Sequence, residues 1–326
     1  MANEKQWAFP EALQPKRDEV AFDLDRALDA MLLLRAEIPD EAFTADLLGT
    51  ERAGYGVVIG DDGLVLTIGY LITEARTLWL TTNRGSTLPG AVLAYDQATG
   101  FGLVQPLGRL GVAPLPIGSV ADAEPGDTLY VLGHGGMPHA LKTRLMAKRE
   151  FAGYWEYVLD EALFTSPAHP QWGGTALVDE SGHLIGLGSL LVQEQDGDDG
   201  ETRQINMFVP IDLLSPLLPA MRATGTSGLP PRPWLGMYAQ ESEGRLVVGG
   251  VSAGGPADKA GVKPGDQVIG IGEDRVKDLA ALFRRVWALG PAGVEVPLLL
   301  AREGDVLRVR IRSADRNDFL WKPRLH

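Results

Sequence analysis

The chain has 326 residues, enough for about two domains. A net charge of −13 argues against nucleic-acid binding, which needs a basic face to neutralise phosphates, and weakens the case for docking on anionic lipid. With no cysteine, disulfides, Cys-ligated zinc and a Cys nucleophile are excluded.

The N-terminus lacks the layout of a cleavable signal, and its apolar run Ala30–Leu34 is too short to span a bilayer. The sequence as written therefore points to the cytoplasm with no membrane partner; the periplasm is the alternative if a signal has been trimmed. Val20, Leu24, Leu28, Met31 and Leu34 recur at intervals of three and four, which predicts one amphipathic helix over 18–36. Residues 1–53 are thus expected to form an N-terminal helical arm, packed on the next domain or used for oligomerisation.

From residue 54 the pattern changes. Short strands are predicted at 56–59, 64–72, 77–82, 90–96, 102–107, 128–133, 143–152, 156–165, 175–178, 183–191 and 205–210. Asp-Asp-Gly, Asn-Arg-Gly, Pro-Gly-Asp and Glu-Ser-Gly turns separate them, in a chain with 40 Gly and 22 Pro. Many short strands at regular spacing indicate an antiparallel sandwich or barrel, and 54–224 suits two small barrels. The acidic tip at 194–201 offers closely spaced carboxylates, but their spacing does not match a twelve-residue calcium loop, and a solvated turn is expected. A helix is predicted over 211–223, followed by a Gly/Pro linker at 225–233.

The segment 234–313 alternates again: strands at 246–251 and 267–271, a short helix at 256–261, and a helix at 279–289 with Leu282, Val286 and Leu289 on one face. Strands 294–302 and 306–312 pair across Glu303-Gly304-Asp305, and a tail follows over 314–326. With Trp234-Leu235-Gly236-Met237 and the run GPADKAGVKPGDQV at 255–268, this segment resembles a PDZ domain of the kind attached to bacterial proteases. The resemblance implies that the turn of Trp234, Leu235, Gly236 and Met237 takes a peptide or protein C-terminus, with helix 279–289 as a groove wall. Independently of family, consecutive N–H groups in a Gly turn form an anion-binding nest.

Three stretches of 54–224 resemble the trypsin-like domain of the HtrA/DegP family: GYGVVIGDDGLVLT at 54–67, LPIGS with PGDTLYVLG at 115–133, and HPQWGGTALVDESGHLIG at 169–186. The implied fold is mainly β: a trypsin-like double β-barrel followed by a PDZ domain. The departures fall on the chemistry. Tyr70 stands where the family's general-base His would be, Gly100 where its orienting Asp would be, and Gly173 where its nucleophilic Ser would be. Acyl transfer needs a nucleophile, a base and an orienting group, and a Tyr with a reference pKa of about 10 is a poor base. The expectation is therefore no enzyme but a pseudoprotease, which binds C-termini as scaffold, chaperone-like factor or regulatory partner of an active protease.

Two alternatives stay open. One is an active serine-type endopeptidase with a relocated nucleophile, pairing His169 with a nearby hydroxyl such as Ser166 or Thr175. The other is a metal-binding pseudoprotease, with His134, His139 and His169 as weak candidate ligands. No cofactor is expected. Tyr154, Trp155, Tyr157 and Trp172 are expected to pack as aromatic core, with an aromatic pocket near the former active site as the alternative, and family members' trimers imply a homo-oligomer.

Overall fold

The computed structural model describes residues 7–196 and 201–322. The chain divides into two compact units: 1–149, 161–228 and 321–326 in the first, 150–160 and 229–320 in the second. The acidic tip assigned to 194–201 has its centre, 197–200, outside the described residues.

In the first unit, Met31–Glu37 (β1), Glu51–Val58 (β2), Val65–Ile68 (β3), Thr77–Thr82 (β4), Thr87–Tyr95 (β5) and Phe101–Pro106 (β6) close into an antiparallel barrel in the order β1-β2-β3-β6-β5-β4. Leu32, Leu34, Leu66, Ile68, Leu80 and Leu103 are fully buried there. Thr128–Leu132 (β7), Ala140–Gly153 (β8), Tyr157–Ser166 (β9), Ala176–Val178 (β10), Leu184–Asp196 (β11) and Glu201–Pro210 (β12) form a second closed barrel, ordered β10-β11-β12-β9-β8-β7. Its core includes Leu129, Val131, Leu141, Leu163, Ile185 and Phe208. Closure leaves no sheet edge, which is how small antiparallel sheets avoid unpaired backbone.

The helical arm is corrected. Only Leu24–Asp29 (α1) is α-helical within 18–36, started by Asp23, whose carboxylate accepts from the Arg26 N–H at 3.0 Å. Met31–Glu37 is a barrel strand that pairs with β2 (Met31 opposite Val57) and with β4 (Leu32 opposite Thr82). Both faces of its first half are enclosed, so the leucine run lost the alternation that marks a strand, and a short apolar run fits either period. The expected boundary at 53 therefore cuts through β2. A short helix, Ala45–Leu48 (α2), joins β1 to β2.

The helix expected over 211–223 is also shorter. A 3₁₀ turn covers Ile211–Leu213, and Leu218–Thr224 (α3) begins with a Pro in its first turn. Of the tail expected over 314–326, residues 323–326 lie outside the described residues, and the rest is tied to both units. Ala314 exchanges two backbone hydrogen bonds with Trp234, each 3.0 Å, in the second unit. The Trp321 N–H donates to the Glu74 carboxylate in the first.

The second unit is a sheet of Met237–Ser242 (β13), Arg245–Val251 (β14), Gln267–Ile271 (β15), Glu295–Arg302 (β17) and Asp305–Arg312 (β18), in the order β13-β14-β15-β17-β18. Asp274–Arg275 (β16) pairs with β15. Pro256–Lys259 (α4) and Leu279–Ala288 (α5) complete it. The Asp278 side chain caps α5 by accepting from the Ala281 N–H at 2.7 Å. Leu282, Phe283 and Val286 face the core with Leu235, Met237, Val268 and Leu300. Leu289, expected on that face, lies beyond the helix and is exposed. Asp266, almost fully buried, accepts from Arg302 Nε at 2.6 Å and from the Lys263 N–H at 2.8 Å, which fixes the Lys-Pro-Gly-Asp turn.

Candidate functional site

The turn of Trp234, Leu235, Gly236 and Met237 is held from several sides. The Leu235 carbonyl accepts from the Ala257 N–H at the start of α4, and the Gly236 carbonyl accepts from the Ser252 N–H, both at 2.8 Å. Gly236 has φ +69°, a left-handed conformation that suits glycine. The turn therefore aims three successive N–H groups at one point. A carboxylate stands there, that of Glu156. The Leu235 N–H donates to it at 3.0 and 3.1 Å, the Gly236 N–H at 2.8 Å and the Met237 N–H at 3.2 Å. Glu156 is 8% exposed. Burial pushes its carboxyl up to about 7, against the pull of the three N–H groups and the charge of Arg316.

In the first unit the turn 169–175 is fixed around His169, whose exposure is 0%. The Asn206 side chain brackets it, accepting from the His169 N–H at 2.6 Å and donating to the His169 carbonyl at 3.1 Å. On the ring, Nε2–H donates to the His139 carbonyl at 3.1 Å, and Nδ1 accepts from the Gln171 N–H at 3.1 Å. This defines the neutral Nε2–H tautomer. Burial pushes the His169 imidazole down to about 4. Trp7, Phe9 and Tyr55 surround the ring, with centroids 5.3, 5.2 and 6.2 Å away. The Tyr55 hydroxyl donates to the Gln171 side-chain oxygen, and burial pushes that phenol up to about 12.

The structure brings Tyr70 and Gly173 together. A Cβ added at Gly173 would lie 2.8 Å from Tyr70 Oη. The tyrosine hydroxyl thus fills the space that a side chain at 173 would need. It donates to the Ser189 carbonyl at 3.0 Å and also hydrogen-bonds the Trp172 side chain. Burial holds its pKa well above the ordinary phenol value. The Gly173 carbonyl accepts from the Tyr55 N–H at 2.8 Å. Gly100 lies against the residue before Tyr70: the Gly69 N–H donates to the Gly100 carbonyl at 2.6 Å. Gly100 itself has φ +83°, set by the turn in which Asp96 accepts from the Thr99 N–H and hydroxyl at 2.8 and 2.7 Å. An L side chain there would be strained.

The other candidates separate. Both ring nitrogens of His169 are used by backbone groups, and the Thr175 hydroxyl donates to the Trp172 carbonyl at 2.9 Å, so this His is not paired with that hydroxyl. His134 Nε2 is 3.3 Å from the Thr82 carbonyl, and His139 packs its ring on Trp7 at 4.4 Å. No group of three or more metal-ligating side chains occurs among the described residues. The four aromatic residues fall into different units. Tyr154, Trp155 and Tyr157 belong to the second unit and Trp172 to the first. Trp155 stacks on Tyr157 at 5.6 Å, and Tyr154 meets Tyr238 of β13 at 6.1 Å.

Sequence reasoning missed Glu156, Trp7 and Arg52. Glu156 stood at the edge of a predicted strand, between Trp155 and Tyr157, which drew notice only for their rings. Trp7 and Phe9 lay in a segment read only as an arm. Arg52 is buried, and its guanidinium donates to the carbonyls of Tyr70 (2.7 Å) and Thr73 (3.1 Å) and to the Thr44 hydroxyl (2.7 Å), which anchors the Tyr70 turn. A lone Arg in a strand pattern gives no signal of this role.

Comparison with known proteins gives a consistent picture. The trypsin-like peptidase domain family matches residues 54–187, and the PDZ domain family matches 233–312. A probable periplasmic serine endoprotease, DegP-like, of Halomonas elongata is 22% identical over 278 residues, 81% of this chain and 57% of its own length. Serine endoprotease DegS of Haemophilus influenzae is 23% identical over 230 residues, 69% of this chain and 66% of its own length. The chain spans between about half and two thirds of the length of these curated relatives. The fold is shared with the HtrA-type protease AlgW solved with a decapeptide, at TM-score 0.53 and 18% identity, covering 92% of this chain and 98% of that one.

These relatives overturn the expectation that the chain is not an enzyme. The relatives named here are serine endoproteases, at 22 and 23% identity. The cytoplasmic expectation gains no support either: the DegP-like relative is named periplasmic, the alternative compartment, and no helix among the described residues is long and apolar enough to cross a membrane. Two closed barrels that match the trypsin-like peptidase domain family over 54–187, followed in the chain by a match to the PDZ domain family over 233–312, make this protein similar to the HtrA-type proteases.

Proposed function

We propose that the chain binds peptides or protein C-termini through the nest of Leu235, Gly236 and Met237, and acts as a scaffold, chaperone-like or regulatory partner of a protease. The carrying observation is that three backbone N–H groups converge on a carboxylate within 3.2 Å. A peptide's terminal carboxylate has the same chemistry as the Glu156 side chain found there. AlgW, solved with a decapeptide, supports this reading. Self-association as a homo-oligomer, pairing with an active protease, and residence in the periplasm belong to the same proposal. The test is fluorescence anisotropy with a pool of labelled decapeptides ending in Val, Leu, Phe or Ala. Free-carboxylate peptides should bind, their C-terminal amides should not, and Gly236→Ala should weaken binding at least tenfold. Equal binding of acid and amide would show that the nest is not the site.

A second reading, favoured by the relatives' names, is peptide cleavage by a nucleophile other than residue 173. A fluorophosphonate probe and casein test it. Labelling or cleavage lost in Ser166→Ala or Thr175→Ala would support it; neither labelling nor cleavage of the unaltered chain would dispose of it.

A further inference from the structure

The nest is occupied by the chain itself. Glu156 lies in residues 150–160, the hairpin tip made of the end of β8, the turn 154–156 and the start of β9, which belongs to the second unit together with 229–320. This segment rests on the elements that border a PDZ groove. Val158 is buried in the same core as Leu235, Met237 and Leu282, and Ala152 packs against that core. Arg284 of α5 forms ion pairs with Glu150 on one side of the tip and Asp160 on the other. Tyr154 meets Tyr238 of β13. Glu156 also has φ +62°, a left-handed conformation uncommon for a residue with a side chain. It is the last residue of the three-residue loop 154–156 between β8 and β9, a position where hairpin loops of this length take that conformation.

We propose that Glu156 is a built-in ligand of the Trp234–Met237 nest, so that an incoming peptide C-terminus must displace the 150–160 tip before it can bind. The proposal rests on the peptide-binding reading above and adds its regulation. Two carboxylates cannot share three N–H donors, and the buried apolar contacts of Val158 leave with the tip. The unaltered chain therefore binds external peptide more weakly than its nest allows, because only the fraction with the tip released is competent.

The experiment uses the full chain with Glu156→Ala and, as a variant that keeps the side-chain volume and one acceptor oxygen, Glu156→Gln. Two quantities are read. Hydrogen exchange of the peptide segment holding Leu235, Gly236 and Met237 reports occupancy of the nest. Anisotropy with the free-carboxylate decapeptide pool and its amides reports competition. The expected result is exchange at least tenfold faster in Glu156→Ala, peptide affinity at least tenfold tighter, and smaller changes of the same sign in Glu156→Gln. Unchanged exchange would show that Glu156 does not hold the nest and would overturn the inference, whatever the peptides do. Faster exchange with unchanged affinity for a peptide that does bind would also overturn it, since displacement requires competition. Faster exchange with no peptide bound by any of the proteins would leave Glu156 as the nest's ligand and would refute the peptide-binding reading instead.

Discussion

Gly173→Ser probes the packing at the centre of the barrel site. The new Cβ would lie 2.8 Å from Tyr70 Oη, whereas ordinary contact begins at 3.4 Å. The hydroxyl must retreat by about half an ångström, and overpacking of this size costs about 1–3 kcal/mol. Tyr70 cannot simply swing away. Its Oη is engaged with the Ser189 carbonyl at 3.0 Å, and its own carbonyl accepts from Arg52 at 2.7 Å. Tyr70→Phe removes the obstructing atom but leaves the Ser189 carbonyl without that donor, a loss of about 1–2 kcal/mol. In the double variant the serine has room, and its hydroxyl enters the space Oη vacated. The two penalties should therefore fail to add, with a coupling of about 1–2 kcal/mol towards compensation. Urea unfolding of the four proteins, following the transition of the first unit, measures the cycle. Penalties that add to within about 0.5 kcal/mol would show that Tyr70 does not fill the space beside residue 173.

Gly100→Ala should destabilise the first unit by about 1–2 kcal/mol, because φ +83° is left-handed, and Gly100→Asn should cost less; thermal melts of both variants check the order. His169 is pushed down to about 4 from the ordinary imidazole value of 6.5, so the unfolded chain binds the proton more tightly. Its contribution to stability is present above pH 6.5 and lost as pH falls towards 4, on the order of 3 kcal/mol in all. His169→Gln should flatten that part of a stability-against-pH curve. Arg302→Met leaves the buried Asp266 carboxylate with backbone partners only. The second unit should lose stability, but less than a fully buried pair would cost, because Arg302 is itself partly exposed. Differential scanning calorimetry would read this as a lower melting temperature for that unit.

Much of the fold was legible because its signals are local. Gly/Asp turns at regular spacing mark strand ends, and the run 255–268 carries α4 and the Lys-Pro-Gly-Asp turn almost residue by residue. Two expectations failed for one reason. The leucines of β1 and residue Leu289 of α5 were assigned by periodicity, but burial is decided by what closes over an element. β1 is enclosed on both sides by its barrel, and α5 ends before Leu289. In the barrel site, the positions of Tyr70, Gly100 and Gly173 were readable from aligned motifs, whereas the meeting of Tyr70 with Gly173 was not. The two are 103 positions apart, and no local pattern records that one side chain occupies the space of another.

The sequence alone therefore determined the mainly β class, the order of trypsin-like and PDZ-like segments, and a Gly turn able to bind a carboxylate, because turns, alternation and nests depend on neighbouring residues. Only the tertiary structure decided what stands in that nest. Glu156 lies 79 to 81 residues from the three N–H groups it binds. A hydrogen bond over that separation exists only once the chain has folded the 150–160 tip against β13 and α5.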